Sequence, residues 1–280
     1  MSAGAYGSAL PSEAAKVAAF ARRDLLILLS YRAGFVADLL QLCAHVLLFA
    51  LIGQLVDPAL LPAYGGEPTG YLEFVAIGAL LSLVFGMLLE RVASAIRTEQ
   101  MIGTLEALLV TPLRTFTLQA GSVAFDAVQV PLRMGLFLTV IALTAGLELE
   151  ASGALPAIAV LCAFLPFVWG LGLISAGAIV TFRRGAGVTA FAGMALGLSA
   201  GAYFPLTLLP AWLAAILTWN PMAITLEAMR QALIGGVGWD AIGPEVLVMV
   251  PMSALTLLAG GLAFGAAVAR ERRRGTLGMY

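Results

Sequence analysis

The chain has 280 residues, of which 61% are hydrophobic and 11% charged, against about 45–50% and about 25% in soluble domains. A soluble fold of this size cannot hide so much apolar surface, so the solvent of this chain is lipid. The net charge of -1 and the scatter of the basic residues carry no signal for a nucleic-acid partner.

Residues 12–32 read as an amphipathic helix. Pro11 and Ser12 give a start signal, with Ser12 as N-cap. Val17, Phe20, Ala21, Leu25 and Leu28 recur at helical spacing, while Lys16, Arg22 and Arg23 supply basic edges. Such a helix lies in the membrane interface, with its arginines among lipid phosphates; the plainer alternative is a lead-in to the first span. Glu13, Lys16, Arg22, Arg23 and Asp24 interrupt the segment before any long apolar run, so no signal peptide is expected there.

The first span is expected over Ala33–Val56, long enough to cross a hydrocarbon core of ~30 Å. It carries Asp38, Gln41, His45 and Gln54. His45 reads as a helix–helix hydrogen-bonding residue, with a proton relay as the alternative. A loop with Asp57-Pro58, Pro62 and Gly65-Gly66 leads to a second span over Leu72–Ile96, and a polar insert follows. The third span covers Gln119–Leu147. There Asp126, Gln129 and Arg133, spaced by three and seven, share one face and satisfy one another or partners on another helix. The fourth span lies within Ala151–Phe182, which has no charge. Cys43 and Cys162 lie far apart in apolar runs and read as two small buried hydrophobes.

Gly185–Leu226 again carries no charge and is too long for one crossing helix at about 1.5 Å per residue. It holds either two spans, or one span and a re-entrant element. The last span, Val246–Ala269, is followed by "RERRRG" (Arg270–Gly275). Seven crossings would send those arginines to the side opposite Lys16, Arg22, Arg23 and Arg32, against the positive-inside rule. Six crossings leave only Arg230, and in doubt Arg133, away from the cytoplasmic side. Pro205, Pro210 and Asn220-Pro221 cut the second half into pieces too short to cross. Pro210–Gly235 is therefore expected to be a helix–break–helix hairpin dipping into the outer leaflet, with Trp212, Trp219 and Trp239 at the interface. Glu227 and Arg230, three apart, are expected to pair on its second helix.

The chain has no phosphate-binding loop of the form G-x-x-x-x-G-K-[ST], no HExxH, no CxxC and no GxSxG. One histidine is too few for a His-rich metal site. No metal and no catalytic group is expected. The polar insert "RTEQMIGTLEALLVTPLR" (Arg97–Arg114) sets Met101, Leu105, Leu108 and Leu109 in a stripe opposite Glu99, Gln100, Thr104 and Glu106. Thr111-Pro112 stops the helix. This reads as a short amphipathic helix on the cytoplasmic surface, whose acidic side suits a cytosolic protein with a cleft; a solvated loop is the alternative.

That insert resembles the E-x-x-x-G-T-L-E-x-L-L-x-T-P pattern of type-2 ABC exporter permeases, with Glu99, Gly103, Thr104, Leu105, Glu106, Leu108, Leu109, Thr111 and Pro112 matching. A second match runs over Gly201–Gly235: Phe204-Pro205, then Leu209-Pro210-Ala211-Trp212, Asn220-Pro221, and Glu227 to Arg230. The resemblance covers nearly the whole chain. It implies one permease domain over 1–280, an all-α membrane protein with six transmembrane helices. It also implies an N-terminal interfacial helix (12–32), a coupling helix (97–114) docking in an ATPase groove, and an extracytoplasmic re-entrant hairpin (210–235). Coupling would fall to Glu99, Gly103, Thr104, Leu105 and Glu106, with Arg22 and Arg23 nearby. An outer gate would comprise Phe204, Pro205, Pro210, Asn220, Pro221, Glu227 and Arg230.

The implied partners are a second copy of the chain, two copies of a separate ABC ATPase carrying ATP and Mg, and membrane lipid. The implied location is a bacterial plasma (inner) membrane, with both termini cytoplasmic. Uncharged spans suit a hydrophobic or amphipathic substrate such as a drug, a lipid or a lipid-linked compound. Two other readings stand beside this one. A gradient-driven secondary transporter is weakened by the lack of an internal repeat, and an intramembrane lipid-modifying enzyme lacks convergent catalytic groups around the single histidine.

Overall fold

Backbone polar groups in lipid have no water to bond, so a chain of this composition satisfies them within helices. The computed structural model describes residues 22, 26, 30, 32–66, 68–102, 126–182 and 186–274. Among these there is no strand. The long helices are α1 (Arg32–Gly53), α2 (Tyr71–Ile102), α3 (Asp126–Ala145), α4 (Ala154–Phe182) and α8 (Trp239–Arg274). Between α4 and α8 lie three shorter ones, α5 (Ala186–Ser199), α6 (Ala211–Leu217) and α7 (Pro221–Leu233). Single 3₁₀ turns occupy Pro58–Leu60, Ala151–Gly153 and Leu206–Leu208.

The segments Tyr71–Arg91, Asp126–Ala145, Ala151–Thr181 and Trp239–Glu271 are each long and apolar enough to cross a membrane. They match the expected second, third, fourth and last spans. α1 falls on the expected first span and has 22 residues, or about 33 Å at 1.5 Å per residue, but it is not among the four segments long and apolar enough to cross; only Cys43–Gly53 forms a shorter apolar helix there. The expected fifth span falls on α5, whose described residues number 14, or about 21 Å. α2 runs unbroken through Ile102, so Arg97–Ile102 continues the span helix and does not begin a separate one. Gly103–Arg114 lies outside the described residues. In the expected interfacial helix, Arg22, Leu26 and Ser30 are helical, with the Ser30 hydroxyl donating to the Leu26 carbonyl at 2.8 Å; Arg23 and the rest lie outside.

α4 sits at the centre and packs on α2, α7 and α8. Phe85 of α2 meets Phe164 of α4 at 6.1 Å between ring centroids, and Phe164 stacks on Phe167 at 5.7 Å. Small residues bring α4 and α8 together. A Cβ at Gly170 would land on the backbone of Thr256 and Leu257, and one at Gly260 would lie 2.9 Å from the Gly170 Cα. The Ser253 hydroxyl donates across the same seam to the Ala163 carbonyl at 2.6 Å. Between helices in lipid, where apolar burial gives no advantage, close backbone approach and such bonds hold the pair. Leu247, Leu255, Leu258 and Leu262 on α8, and Leu40, Leu47, Leu48 and Leu51 on α1, are exposed on the outside of the bundle. Cys162 is exposed too, and Cys43 half-buried, so the expectation of two buried cysteines is corrected: an α4 position facing away from the core needs only to be apolar when its solvent is lipid.

Candidate functional site

The expected hairpin region forms two helices with a break. α6 ends at Leu217, and Asn220 opens α7: its side-chain oxygen accepts from the Met222 amide at 3.0 Å, with Pro221 at the first helical position. The Asn220 amide also donates to the Leu196 carbonyl at 3.1 Å and the Ser199 hydroxyl at 3.0 Å. One side chain thus caps α7 and ties it to the end of α5.

After α5 the chain turns through Gly201, whose φ of +74 falls in the left-handed region. Ala200, Gly201 and Ala202 are buried, so their irregular backbone needs partners from within the protein. Arg230 of α7 supplies them. It is 3% exposed, and all three of its side-chain nitrogens donate to carbonyls. Nε and Nη2 reach Phe74 at 3.1 and 2.9 Å, Nη1 and Nη2 reach Gly201 at 3.1 Å each, and Nη2 reaches Ala202 at 3.1 Å. The guanidinium carbon stands 3.4 Å from the Phe74 ring centroid. A planar fork of donors suits three converging carbonyls in a way a single ammonium cannot.

The expected ion pair between Glu227 and Arg230 is not what forms. Glu227 is exposed, its Oε2 accepts from the Tyr64 hydroxyl at 2.9 Å, and its Oε1 accepts from the Gln231 amide at 3.4 Å. Residues three apart on a helix are offset by about 60° around its axis; here that offset puts Arg230 on the packed face and Glu227 at its edge. Tyr64 is 4% exposed. Burial, and after it the Glu227 carboxylate, push the phenol well above its usual range, so it stays a donor. Further contacts close this end of the bundle. Gly65, with φ +63, abuts Gly235, and the Glu150 amide donates to the Leu233 carbonyl at 2.7 Å. Of the other expected gate residues, Pro205 is buried, Phe204 and Pro221 are half-buried, and Pro210 is exposed.

The second expected cluster begins at the N-terminal end of α3. Asp126 is 1% exposed and pairs with Arg91 of α2. Arg133 is buried, its guanidinium carbon 5.3 Å from the Phe137 ring centroid, and Gln129 is half-buried. Asp126 and Arg133 therefore share the buried face as the spacing required, and the charge facing Asp126 comes from another helix. Of the expected coupling residues, Glu99 is within α2 and Arg22 is exposed; Gly103, Thr104, Leu105 and Glu106 lie outside the described residues.

Two cavities flank these groups. One of about 430 Å³ opens between α1, α2 and α5, where Gln41, His45, Ser82 and Tyr203 interrupt an apolar wall. The His45 Nδ1 lies 2.8 Å from the Gln41 carbonyl one turn earlier. The other, of about 420 Å³, lies under the hairpin. Sequence reasoning missed Tyr64, Phe74, Arg91 and Glu245 as site residues. Tyr64 and Phe74 stand more than 150 residues from their partners on α7, and no local spacing marks such contacts.

These features define a multi-pass helical membrane protein whose second half is broken into short, mutually capped helices. A family model described as ABC-2 type transporter matches residues 17–234. The chain belongs to that family, as a membrane permease subunit, and permeases of this family pair with an ABC ATPase subunit. A comparison with curated proteins found no match.

Proposed function

We propose that the chain is the membrane-spanning subunit of an ATP-driven exporter that moves a hydrophobic or amphipathic compound out of the cytoplasm. Two copies would form a C2 pair, the commonest symmetry for such assemblies, and two copies of a separate cytosolic ATPase would bring ATP and Mg. The observation that carries this reading is the family match over 17–234. The arginine distribution adds to it, because six crossings place nearly all basic residues on one side. So does the cavity between α1, α2 and α5, whose few polar groups in an apolar wall suit an amphipathic solute.

In this scheme ATP draws the two ATPases together, and Arg97–Arg114 passes the motion to α2, with which its first residues are continuous. The α6–α7 hairpin acts as the outer gate, re-entrant from the extracytoplasmic side. The permease shifts state only as far as ATP and substrate bind its states unequally.

Reconstitution in proteoliposomes with the cognate ATPase tests the reading. Transport of substrate should require hydrolysable nucleotide. Gly103→Trp and Glu106→Arg should weaken co-purification of the ATPase or uncouple hydrolysis from transport, with insertion unchanged. Transport driven by an ion gradient without ATPase would favour the secondary-transporter reading. Normal coupling in both variants would remove Arg97–Arg114 from its assigned role.

A further inference from the structure

The cavity under the hairpin has a charge imbalance that points to an occupant. Its wall is mostly apolar, with Pro62, Phe74, Pro205, Leu206 and Ile224, and three charged residues line it: Glu227, Arg230 and Glu245. Arg230 is committed, since each of its nitrogens already donates to backbone carbonyls. Glu227 is held by Tyr64 and Gln231. Glu245, near the start of α8, is different: its Oε2 is buried and has no hydrogen-bond partner among the described residues. A carboxylate accepts and does not donate when ionised, and a buried acceptor left unbonded is unfavourable. No donor of the wall reaches that oxygen, and the lining sets two carboxylates, Glu227 and Glu245, against one guanidinium, an excess of negative charge.

The surroundings strengthen the sign. The described loops and helix turns at this end carry Asp57, Glu73, Glu148, Glu150, Glu227, Asp240 and Glu245, and the one basic residue among them is Arg230. A mouth lined by one sign of charge concentrates the opposite sign. Arg230 turns each of its nitrogens to backbone carbonyls and is 3% exposed, which makes it a poor seat for an anion. A bare metal ion would leave most of about 420 Å³ and its apolar wall unused. We infer that this cavity binds an amphipathic ammonium, an apolar body carrying one protonated amine, with the amine on Glu245 and the body against Phe74, Pro205 and Leu206. The inference rests on the exporter reading only for its purpose, as a late stop for cationic cargo; the binding itself needs neither ATP nor the ATPase.

The test uses the full-length chain in nanodiscs of zwitterionic lipid, with empty discs as the blank. Equilibrium dialysis measures binding of 1-naphthylmethylamine, protonated at neutral pH, and of its neutral near-isostere 1-naphthylmethanol. The amine should bind at least ~10-fold more tightly than the alcohol, the lower range for a hydrogen bond to a charged group. Glu245→Gln should abolish that preference while leaving the alcohol within ~2-fold, as expected when one charged contact alone is lost. Thr218→Trp, at an exposed position on the rim, should weaken both compounds by closing the mouth. Equal binding of amine and alcohol to the wild-type chain would overturn the inference, as would an amine preference that survives Glu245→Gln. Displacement of the amine by millimolar Ca²⁺ in a Glu245-dependent way, with no alcohol bound, would assign the cavity to a metal ion and also overturn it. Failure of ATP-driven transport with these binding results intact would count against the exporter reading alone.

Discussion

Replacing Arg230 with methionine removes the group that satisfies the broken stretch after α5. Methionine fills much of the same space and donates nothing. Five contacts of 2.9–3.1 Å are lost, together with the seat on the Phe74 ring. Phe74 lies inside α2, where its carbonyl has a helical partner as well. Gly201 and Ala202 lie in irregular buried backbone, and each carbonyl stranded there costs about 1–3 kcal/mol. The lost ring contact adds about 0.5–2 kcal/mol, and relief from burying a guanidinium offsets part of the sum. After that offset the net is about 3–5 kcal/mol. Titration of the purified chain with SDS in mixed micelles, followed by tryptophan fluorescence, reads that loss. Hydrogen exchange localises it: amides of α7 should exchange about two to three and a half decades faster at about 1.4 kcal/mol per decade. Arg230→Lys should recover only part, because an ammonium lacks the planar fork. A methionine variant within about 0.5 kcal/mol of wild type, with α7 exchange unchanged, would refute the claim that this side chain holds the hairpin.

Exchanging the charges, Glu227→Arg with Arg230→Glu, should rescue nothing relative to Arg230→Glu alone, because a carboxylate would then face three carbonyls; recovery of folded yield would restore the direct pair. Tyr64→Phe should cost about 1 kcal/mol in the same titration. Because the folded-state phenol is raised, its contribution is full below the unfolded value of about 10 and lost as pH rises above it, so the variant should show a smaller alkaline loss of stability than wild type. Gly260→Ala should destabilise by about 1–3 kcal/mol through overpacking against Gly170, while Gly261→Ala, with open space at its Cβ position, should stay within about 0.5 kcal/mol of wild type; equal effects would remove the seam argument. Single cysteines in a background lacking Cys43 and Cys162 should label from outside at Gly66 and Ser152 and not at Ser12 or Gly275, and external labelling at Gly275 would favour seven crossings.

The long apolar helices were legible because length and hydropathy alone decide them in lipid. Asn220-Pro221 was legible as a break because a cap and a fixed φ are local properties, and the shared buried face of Asp126 and Arg133 followed from spacing. What spacing could not supply was the partner. Glu227 and Arg230 suggested each other because both are side chains with opposite charge. The actual acceptors of Arg230 are backbone carbonyls, which every residue has and which leave no mark in the sequence. The stop of α5 at Ser199 was equally hidden. An uncharged run with six glycines and alanines in ten residues reads as uninterrupted span, and only the left-handed turn at Gly201, together with a guanidinium arriving from α7, makes the early stop tolerable.

The glycine seam between α4 and α8 also bears on how the chain is made. The two helices that fit most closely are separated in synthesis by residues 183–238, which a ribosome adds in seconds at about 5–20 residues per second. During that interval α4 enters the bilayer with Gly170 and Gly177 facing lipid or a temporary neighbour. The bundle therefore closes late, from its C-terminal helix. A nascent chain arrested before Trp239 would hold the residues of α2 and α4 yet lack the helix whose Gly260 meets Gly170.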